Sequence, residues 1–262
     1  MNRISICNIP VDALTMQQTI SLVDKAILEK KSIHHVVINA VKVVNAQKDI
    51  NLKESIANCD IINADGQGIV WASRLLNKPL PERVSGIDLM EELVILAAKK
   101  KYRIFFLGAR EEIVSKVISL YSNKFGKDII AGYRNGYFKK EEETQIAQQI
   151  ADSKANILFV AMSSPKKEIF LNTYKNLIQT SFIMGVGGSF DVVAGLVKRA
   201  PKWMQEWGLE WFYRVMQEPR RLWKRYLFGN SVFVYLVFKE KIKQIFKIKQ
   251  SRTIHNNKSR NN

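Results

Sequence analysis

The sequence predicts an α/β fold: a Rossmann-like, mainly parallel sheet with flanking helices, plus a helical basic C-terminal appendage. Two observations predict it. The first 195 residues alternate short apolar runs with amphipathic helical patterns, which is typical of a parallel sheet covered by helices. After Ala200 the composition changes to tryptophans interleaved with basic residues. We therefore expect a domain over 1–195, an appendage over 196–250 and a disordered tail over 251–262.

The strands and helices of the domain follow from hydrophobic periodicity. Apolar residues recur at three- and four-residue spacing in the helical stretches, as at Leu89, Leu93, Leu96 and Ala97. The predicted strands are His35–Ile38, Asp60–Asn63, Arg103–Leu107, Ile129–Ala131, Asn156–Ala161 and Ser181–Gly185. The predicted helices are Thr15–Lys30, Ile87–Lys100, Glu111–Phe125 and Glu141–Ser153.

Three predicted strands end in residues suited to a ligand. In an open parallel sheet, ligands bind beyond the carboxyl ends of the strands. The first strand runs into Asn39, the second into INADGQG (62–68), and the sixth into MGVGGSFD (184–191). These ends predict the position of a site.

Asp65 is the first catalytic candidate. The glycines and the alanine beside it allow a ligand to approach the backbone closely, and a carboxylate there could act as general base on a hydroxyl group. The alternative is that Asp65 caps the helix that begins near Gly68.

Two further features favour a phosphate ligand. Gly187 and Gly188 could present backbone N–H groups to a phosphate at a helix N-terminus, although a tight strand-to-helix turn also needs glycine. Arg83 lies in a loop before a helix, and its planar guanidinium suits phosphate.

Other classes of site lack their sequence signals. Cys7 and Cys59 form no disulfide framework, and His34, His35 and His255 lack metal-ligand spacing. His34 and His35 are expected to pack rather than to bind. No Walker A motif, Asp-x-Asp motif or secretory signal is evident, so we predict no metal, no cofactor and a cytoplasmic location.

The charge is concentrated at the C-terminus. The formal net charge is +17, and residues 197–262 carry 16 Lys and Arg against 4 acids, a net +12. Such a tail indicates a polyanionic partner or a solvated charged segment. The apolar run Tyr226–Phe238 is too short to span a bilayer and predicts a basic helix lying in the membrane interface.

Aromatic residues of the appendage divide into two predicted groups. The four-residue spacing of the tryptophans at 203, 207 and 211 predicts one helical face packed on the domain. The lipid-facing candidates are Phe233, Tyr235, Leu236, Phe238 and Phe246.

Together these segments resemble the WecG/TagA/CpsF family of bacterial glycosyltransferases. The strongest match extends over more than 40 residues, GVGGSFDVVAGLVKRAPKWMQEWGLEWFYRVMQEPRRLWKRYL (185–227). INADGQGIVWASRLL (62–76), ERVSGIDL (82–89), GYF (136–138) and SPKKE (164–168) occur in the order that the family shows.

The resemblance implies an inverting, metal-independent transfer of N-acetylmannosamine, or its uronic acid, from a UDP-sugar donor. The implied acceptor is lipid-linked: undecaprenyl-diphosphate-linked N-acetylglucosamine, used for teichoic acid or related cell-surface polysaccharides. By the resemblance Asp65 is the base, Asn39 a donor-binding residue and Arg83 a substrate contact. Arg214 and Arg221 are implied to close over the diphosphate from the appendage.

The implied setting is the inner face of the cell membrane. The lipid acceptor and the basic helix predict an anionic membrane surface as partner, with homo-oligomerisation competing for the same face off the membrane. A nucleic-acid partner is not expected, since no binding motif accompanies the basic, tryptophan-rich segment.

The chain departs from the family pattern at several positions. Lys167 replaces a glutamine and is placed among the substrate-binding candidates, and Val37 replaces a frequent threonine. Phe170 replaces a tryptophan, and Ala109 replaces a glycine. Two alternatives follow: a relative that uses a different UDP-hexose or N-acetylhexosamine donor in exopolysaccharide synthesis, or a non-catalytic membrane adapter.

Overall fold

The architecture is that of a computed structural model, which describes residues 2–163 and 166–258. Ser164 and Pro165 of the SPKKE segment lie outside the described residues, as do residues 259–262 of the predicted tail. The last helix, Pro219–Lys258, includes residues 251–258, for which the sequence predicts disorder.

The chain forms eight strands and twelve α-helices within the described ranges. The strands are β1 Arg3–Ile6, β2 Ile9–Asp12, β3 Ile33–Ile38, β4 Ile61–Ala64, β5 Ile104–Gly108, β6 Ile130–Arg134, β7 Ile157–Ala161 and β8 Phe182–Gly185. The domain helices are α1 Met16–Leu28, α2 Ala40–Ala46, α3 Ile50–Ala57, α4 Gln67–Leu75, α5 Gly86–Lys100, α6 Glu111–Phe125, α7 Glu143–Asp152, α8 Lys166–Ile178 and α9 Ser189–Val193. The appendage helices are α10 Lys202–Glu206, α11 Glu210–Gln217 and α12 Pro219–Lys258.

Six strands form one parallel sheet in the order β4-β3-β8-β7-β5-β6, which confirms the predicted fold class. Each of the six predicted strands is present within a few residues of its expected bounds. Strands of such sheets are covered on both faces, so they read as continuous apolar runs, and this explains why the sequence revealed them.

Alternate side chains of the strands enter opposite cores. Phe106 and Phe159 pack with Phe190 on the face covered by α1, α5, α6 and α9. Phe105 and Leu158 point to the other face, which α7 and α8 cover. The sheet therefore lies between two helical layers, and its carboxyl edge carries the loops predicted to form the site.

An N-terminal hairpin of β1 and β2 was not predicted. Cys7 and Asn8 form its turn with φ of 49° and 59°, a geometry that usually carries glycine. Asp12 receives Arg3 Nε at 2.7 Å on one carboxylate oxygen and the Ile62 N–H at 2.8 Å on the other. The hairpin is thereby fixed to β4, the strand that leads into Asp65.

The predicted tryptophan face is wrong. Gly208, with φ +66°, follows the end of α10 and separates Trp203 and Trp207 from Trp211 in α11. Trp203 and Trp207 are exposed, by 57% and 69%. Four-residue spacing places side chains on one face only while a helix continues, and here it does not.

Helix α12 docks on the domain and passes through Gly229 without a break. A Cβ atom at Gly229 would lie 2.8 Å from Val41 Cγ2, so α2 and α12 approach closely at this point. Phe233 is buried in the domain core, and Leu236 packs against that core. The prediction that these two side chains face the lipid of a membrane is therefore wrong. Glu240 accepts the Cys7 N–H at 2.6 Å.

Side chains on the outer surface of α12 remain exposed. They include Tyr235, Phe238 and Phe246, as the sequence predicted, together with Ile242 and Ile245. Within the described ranges, no helix combines the length and the hydropathy needed to cross a bilayer.

We expect Gly229→Leu to weaken the docking of α12, because the new side chain would overlap Val41. Overpacking of this kind costs roughly 1–3 kcal/mol, measured as a loss in the free energy of unfolding by urea. Ser231→Leu is the matched control, since Ser231 is an exposed position two residues further along the same helix. Equal stability of the two variants would contradict the close approach.

Candidate active site

A cavity of about 560 Å³ lies beyond the carboxyl ends of β3 and β4, where the sequence predicts a site. Its floor is formed by the loops after those strands, and its walls by α4, α11 and α12. Four predicted site residues line it: Asn39, Asp65, Arg83 and Arg214. A volume of this size suits a small-molecule or cofactor ligand.

Asp65 is placed by the end of β4. Its backbone N–H donates to Ile38 O at 2.7 Å, which continues the parallel ladder by one residue. Gly66, with φ +122°, then turns the chain and is the N-cap of α4, without a side-chain hydrogen bond to that helix. The capping alternative for Asp65 is therefore wrong, and its carboxylate lines the cavity instead.

The surroundings of Asp65 make it a base near neutrality. Burial raises the pKa of its carboxyl group to about 6, and the negative charge of Glu210 adds to the shift. Arg83, Arg214 and Lys42 oppose it, and their charges lower the pKa. A carboxylate with a pKa near 6 is ionised at pH 7 and still accepts a proton readily.

Glu210 links two arginines at the mouth of the cavity. Arg83 Nη1 lies 3.1 Å from one of its carboxylate oxygens, and Arg214 Nη2 lies 3.4 Å from the other. Arg83 Nη2 also lies 3.8 Å from Asp88. Two arginines share one carboxylate of the appendage, so positive charge faces the cavity beside Asp65.

Asn39 has a structural as well as a cavity-facing role. It is the N-cap of α2, and its Oδ1 accepts the Lys42 N–H at 3.0 Å. Burial lowers the pKa of the Lys42 ammonium to about 8, and the charge of Lys167 contributes. The start of α2 therefore holds a third cation, besides Arg83 and Arg214, whose charge acts on Asp65.

Lys167 lies beside the strand that neighbours β3. Its Nζ is 3.1 Å from a carboxylate oxygen of Glu168. Although burial alone would raise the pKa of Glu168, Lys167 holds it below its usual value. A Cβ atom at Gly185 would lie 2.8 Å from Lys167 Cε, so glycine there is what admits the lysine.

Gly187, Gly188, Lys167 and Arg221 are not among the residues that line the cavity. The two glycines turn the chain between β8 and α9, and Gly187 has φ +53°, so this turn requires glycine in its own right. Arg221, in α12, pairs with Glu218 and is close enough to Asp191 of α9 to lower the pKa of that carboxyl group, although burial raises it overall. The predicted site residues thus form two neighbouring groups along one edge of the sheet.

His35 packs as the sequence predicts. It is buried, with Nε2 2.8 Å from Asn63 Oδ1, and burial lowers its pKa to about 4. In the part of the chain that the structure describes, no three His, Cys, Asp or Glu side chains lie close enough to hold a metal ion.

Sequence reasoning missed several cavity residues. Glu210 and Trp211 lie in a segment read only as basic and aromatic, and nothing in its pattern points to a partner for Arg83. Lys42, which is outside the lining but affects Asp65 through its charge, resembles any helical lysine in the sequence. The apolar wall, which includes Trp71, depends on contact between α4 and α12, and local patterns do not encode such a contact.

Comparison with known proteins agrees with this geometry. The profile of the glycosyl transferase WecG/TagA/CpsF family matches residues 4–247. The chain belongs to this family. It is therefore a glycosyltransferase, and the match covers the domain and most of the appendage.

Two curated relatives carry the same name, N-acetylglucosaminyldiphosphoundecaprenol N-acetyl-beta-D-mannosaminyltransferase. The one from Bacillus subtilis (strain 168) is 38% identical over 225 residues, which are 84% of this chain and 87% of the relative. The one from Bacillus spizizenii (strain ATCC 23059 / NRRL B-14472 / W23) is 40% identical over 172 residues, 66% of each chain.

We expect Asp65→Asn to stabilise the fold at pH 8 and not at pH 4. The carboxyl pKa is about 6 in the folded chain and ~3.9 when unfolded, so the folded state loses stability as pH rises between these values. A gap of about two pKa units corresponds to roughly 3 kcal/mol at pH 8, so removing the charge should raise the unfolding temperature there by about 6–12 °C. Thermal unfolding at both pH values tests this, and an equal gain at pH 4 would contradict it.

Proposed function

We propose that this family member transfers N-acetylmannosamine from a UDP donor to undecaprenyl-diphosphate-linked N-acetylglucosamine, with inversion and without a metal ion. The observation that carries the proposal is Asp65, a carboxylate with a pKa near 6 that lines the cavity together with Arg83 and Arg214. The names of the two Bacillus relatives support the donor sugar and the acceptor.

The reaction needs one base. Asp65 removes the proton from the acceptor hydroxyl group as its oxygen attacks the anomeric carbon of the donor sugar. The bond between that carbon and the diphosphate oxygen breaks on the opposite face, so the configuration inverts. UDP leaves with the electron pair, and the proton remains on Asp65 until solvent removes it.

Cations and backbone N–H groups stabilise the departing diphosphate. Arg214 and Arg221 of the appendage are assigned to it, together with the turn at Gly187 and Gly188. Their positive charge stabilises the diphosphate most strongly where water is excluded. Because both arginines belong to the appendage, the appendage supplies part of the site. Arg83 is assigned as a substrate contact and also fixes the appendage through Glu210.

Donor recognition is assigned to the edge formed by β3 and β8. Asn39 orients the donor beside Asp65, and Lys167 provides a cation where the family has glutamine. A Cβ atom placed at Gly86 would lie 3.4 Å from Val37 Cγ2, so the position of the frequent threonine serves packing here. The names of the relatives favour N-acetylmannosamine over the alternative donors.

Asp65→Asn is expected to lower transfer at least ~10²-fold, the usual contribution of a general base. For the unmodified chain, kcat/KM should fall as pH drops below about 6, where Asp65 takes up a proton. Release of UDP from UDP-N-acetylmannosamine would be measured with a short-chain prenyl-diphosphate N-acetylglucosamine acceptor and EDTA.

Asp49→Asn serves as the control for this experiment. Asp49 caps α3 through the Leu52 N–H at 3.0 Å, and asparagine caps a helix equally well. Transfer that survives in Asp65→Asn would exclude Asp65 as the base, and loss of activity in EDTA would exclude a metal-independent reaction.

We also propose that α12 holds the enzyme on the inner face of the cell membrane. Exposed apolar side chains at Ile242, Ile245 and Phe246 occur among lysines, a composition that suits the interface of an anionic bilayer. Off the membrane the same surface would favour homo-oligomers, because burial in a second copy also removes it from water.

The double variant Ile242→Ser/Phe246→Ser should bind anionic vesicles about tenfold more weakly or worse, because less apolar area enters the interface. Leu28→Ser is the control, since Leu28 is also exposed but ends α1 at the opposite edge of the sheet. Co-sedimentation at two salt concentrations measures the effect. Binding that both variants share, or that salt leaves unchanged, would contradict the proposal.

A further inference from the structure

We propose that the groove between α4 and α12 binds the first isoprene units of the lipid acceptor, in line with the diphosphate and the sugar. The inference rests on the proposed function for the identity of the ligand. It adds a lipid subsite, formed by the walls of the cavity, to a site so far defined only by its polar residues.

The groove is polar at one end and apolar over the rest of its length. Its four charged lining residues, Asp65, Arg83, Glu210 and Arg214, are connected to one another by charge or ion pairing. From this end the lining continues along α4 and α12 without a further charged side chain among the described residues. A diphosphate with a hydrocarbon tail has the same distribution of polarity.

Two helical stripes form the walls. On α4, Gly68, Trp71, Ala72 and Leu75 recur at three- and four-residue spacing, so they share one face. The facing stripe of α12 runs from Asn230 to Phe238 with the same spacing. At 1.5 Å per residue each stripe is about 10–12 Å long, which accommodates the first units of a branched hydrocarbon chain.

Small residues keep the groove open near the chemistry. A Cβ atom at Gly68 would be 4.0 Å from Phe233 Cε1, so a glycine leaves the space between the two helices unfilled. Gly208 allows the appendage to approach α4 closely, since a Cβ atom placed at Gly208 would lie 3.1 Å from Trp71 Cη2. The appendage thus closes one side of the groove and leaves its interior free.

The outer end of the groove exposes apolar surface. Trp71 and Val234 are each 51% exposed and Phe238 is 54% exposed, although all three line the cavity. Such surface is costly in water and is covered when a hydrocarbon chain occupies the groove. A membrane acyl chain would match the apolar part alone, whereas a prenyl diphosphate also matches the arginines.

Calorimetric titration of the full-length chain with prenyl diphosphates tests the assignment without catalysis. We expect farnesyl diphosphate to bind at least about tenfold more tightly than dimethylallyl diphosphate, since each buried CH₂ contributes. Inorganic diphosphate should bind no more tightly than dimethylallyl diphosphate, and farnesol should bind more weakly than farnesyl diphosphate. Equal affinity for the two prenyl diphosphates, or for farnesol and farnesyl diphosphate, would overturn the proposal.

Two valines of α12 give a matched pair of variants. Val234 lines the groove, whereas Val232, two residues earlier and also exposed, does not. Asparagine is close to valine in size and is also uncharged, but it is polar. Val234→Asn should therefore abolish most of the dependence of the affinity on prenyl chain length, whereas Val232→Asn should retain it. Equal effects would assign the binding to the general surface of α12. Binding of the expected kind by a chain that transfers no sugar would contradict the proposed function and support the groove.

Discussion

The ion pair between Arg83 and Glu210 is the interaction on which the site depends. Arg83 belongs to the domain and Glu210 to the appendage, so the contact fixes the position of the second wall of the cavity. Glu210 also contacts Arg214 and raises the pKa of Asp65. One carboxylate therefore contacts both arginines and raises the proton affinity of Asp65.

The energetic logic of the site follows from this arrangement. Asp65 is half-buried at a strand end, where desolvation makes its ionisation unfavourable, and the negative charge of Glu210 lies nearby. Folding tolerates this because the hairpin fixes β4 through Asp12 and because α12 packs into the core through Phe233. The stability of the surrounding fold thus offsets the cost of holding an ionised carboxylate where the environment favours its protonated form.

The sequence was informative where structure is local or repeats with a simple period. Buried parallel strands read as apolar runs, and the rule that ligands bind at strand ends located Asp65 and Asn39. The hairpin was missed because its turn, Cys7-Asn8, lacks the usual glycine. The prediction of one tryptophan face was wrong because the helix ends before Gly208, which has a left-handed backbone conformation. The role of Glu210 and the apolar groove both depend on contacts between segments that are distant in the sequence, and no local pattern predicts such contacts.

The contact between Cys7 and Glu240 joins residues 233 positions apart. During synthesis the hairpin is made before α12, and its turn finds this partner only after α12 has left the ribosome. Chains usually fold from the N-terminal end as they emerge, so the sheet can form before α12 arrives. The cavity, which needs α12 as a wall, is then completed last. A nascent chain without α12 would therefore have a folded sheet and no enclosed cavity.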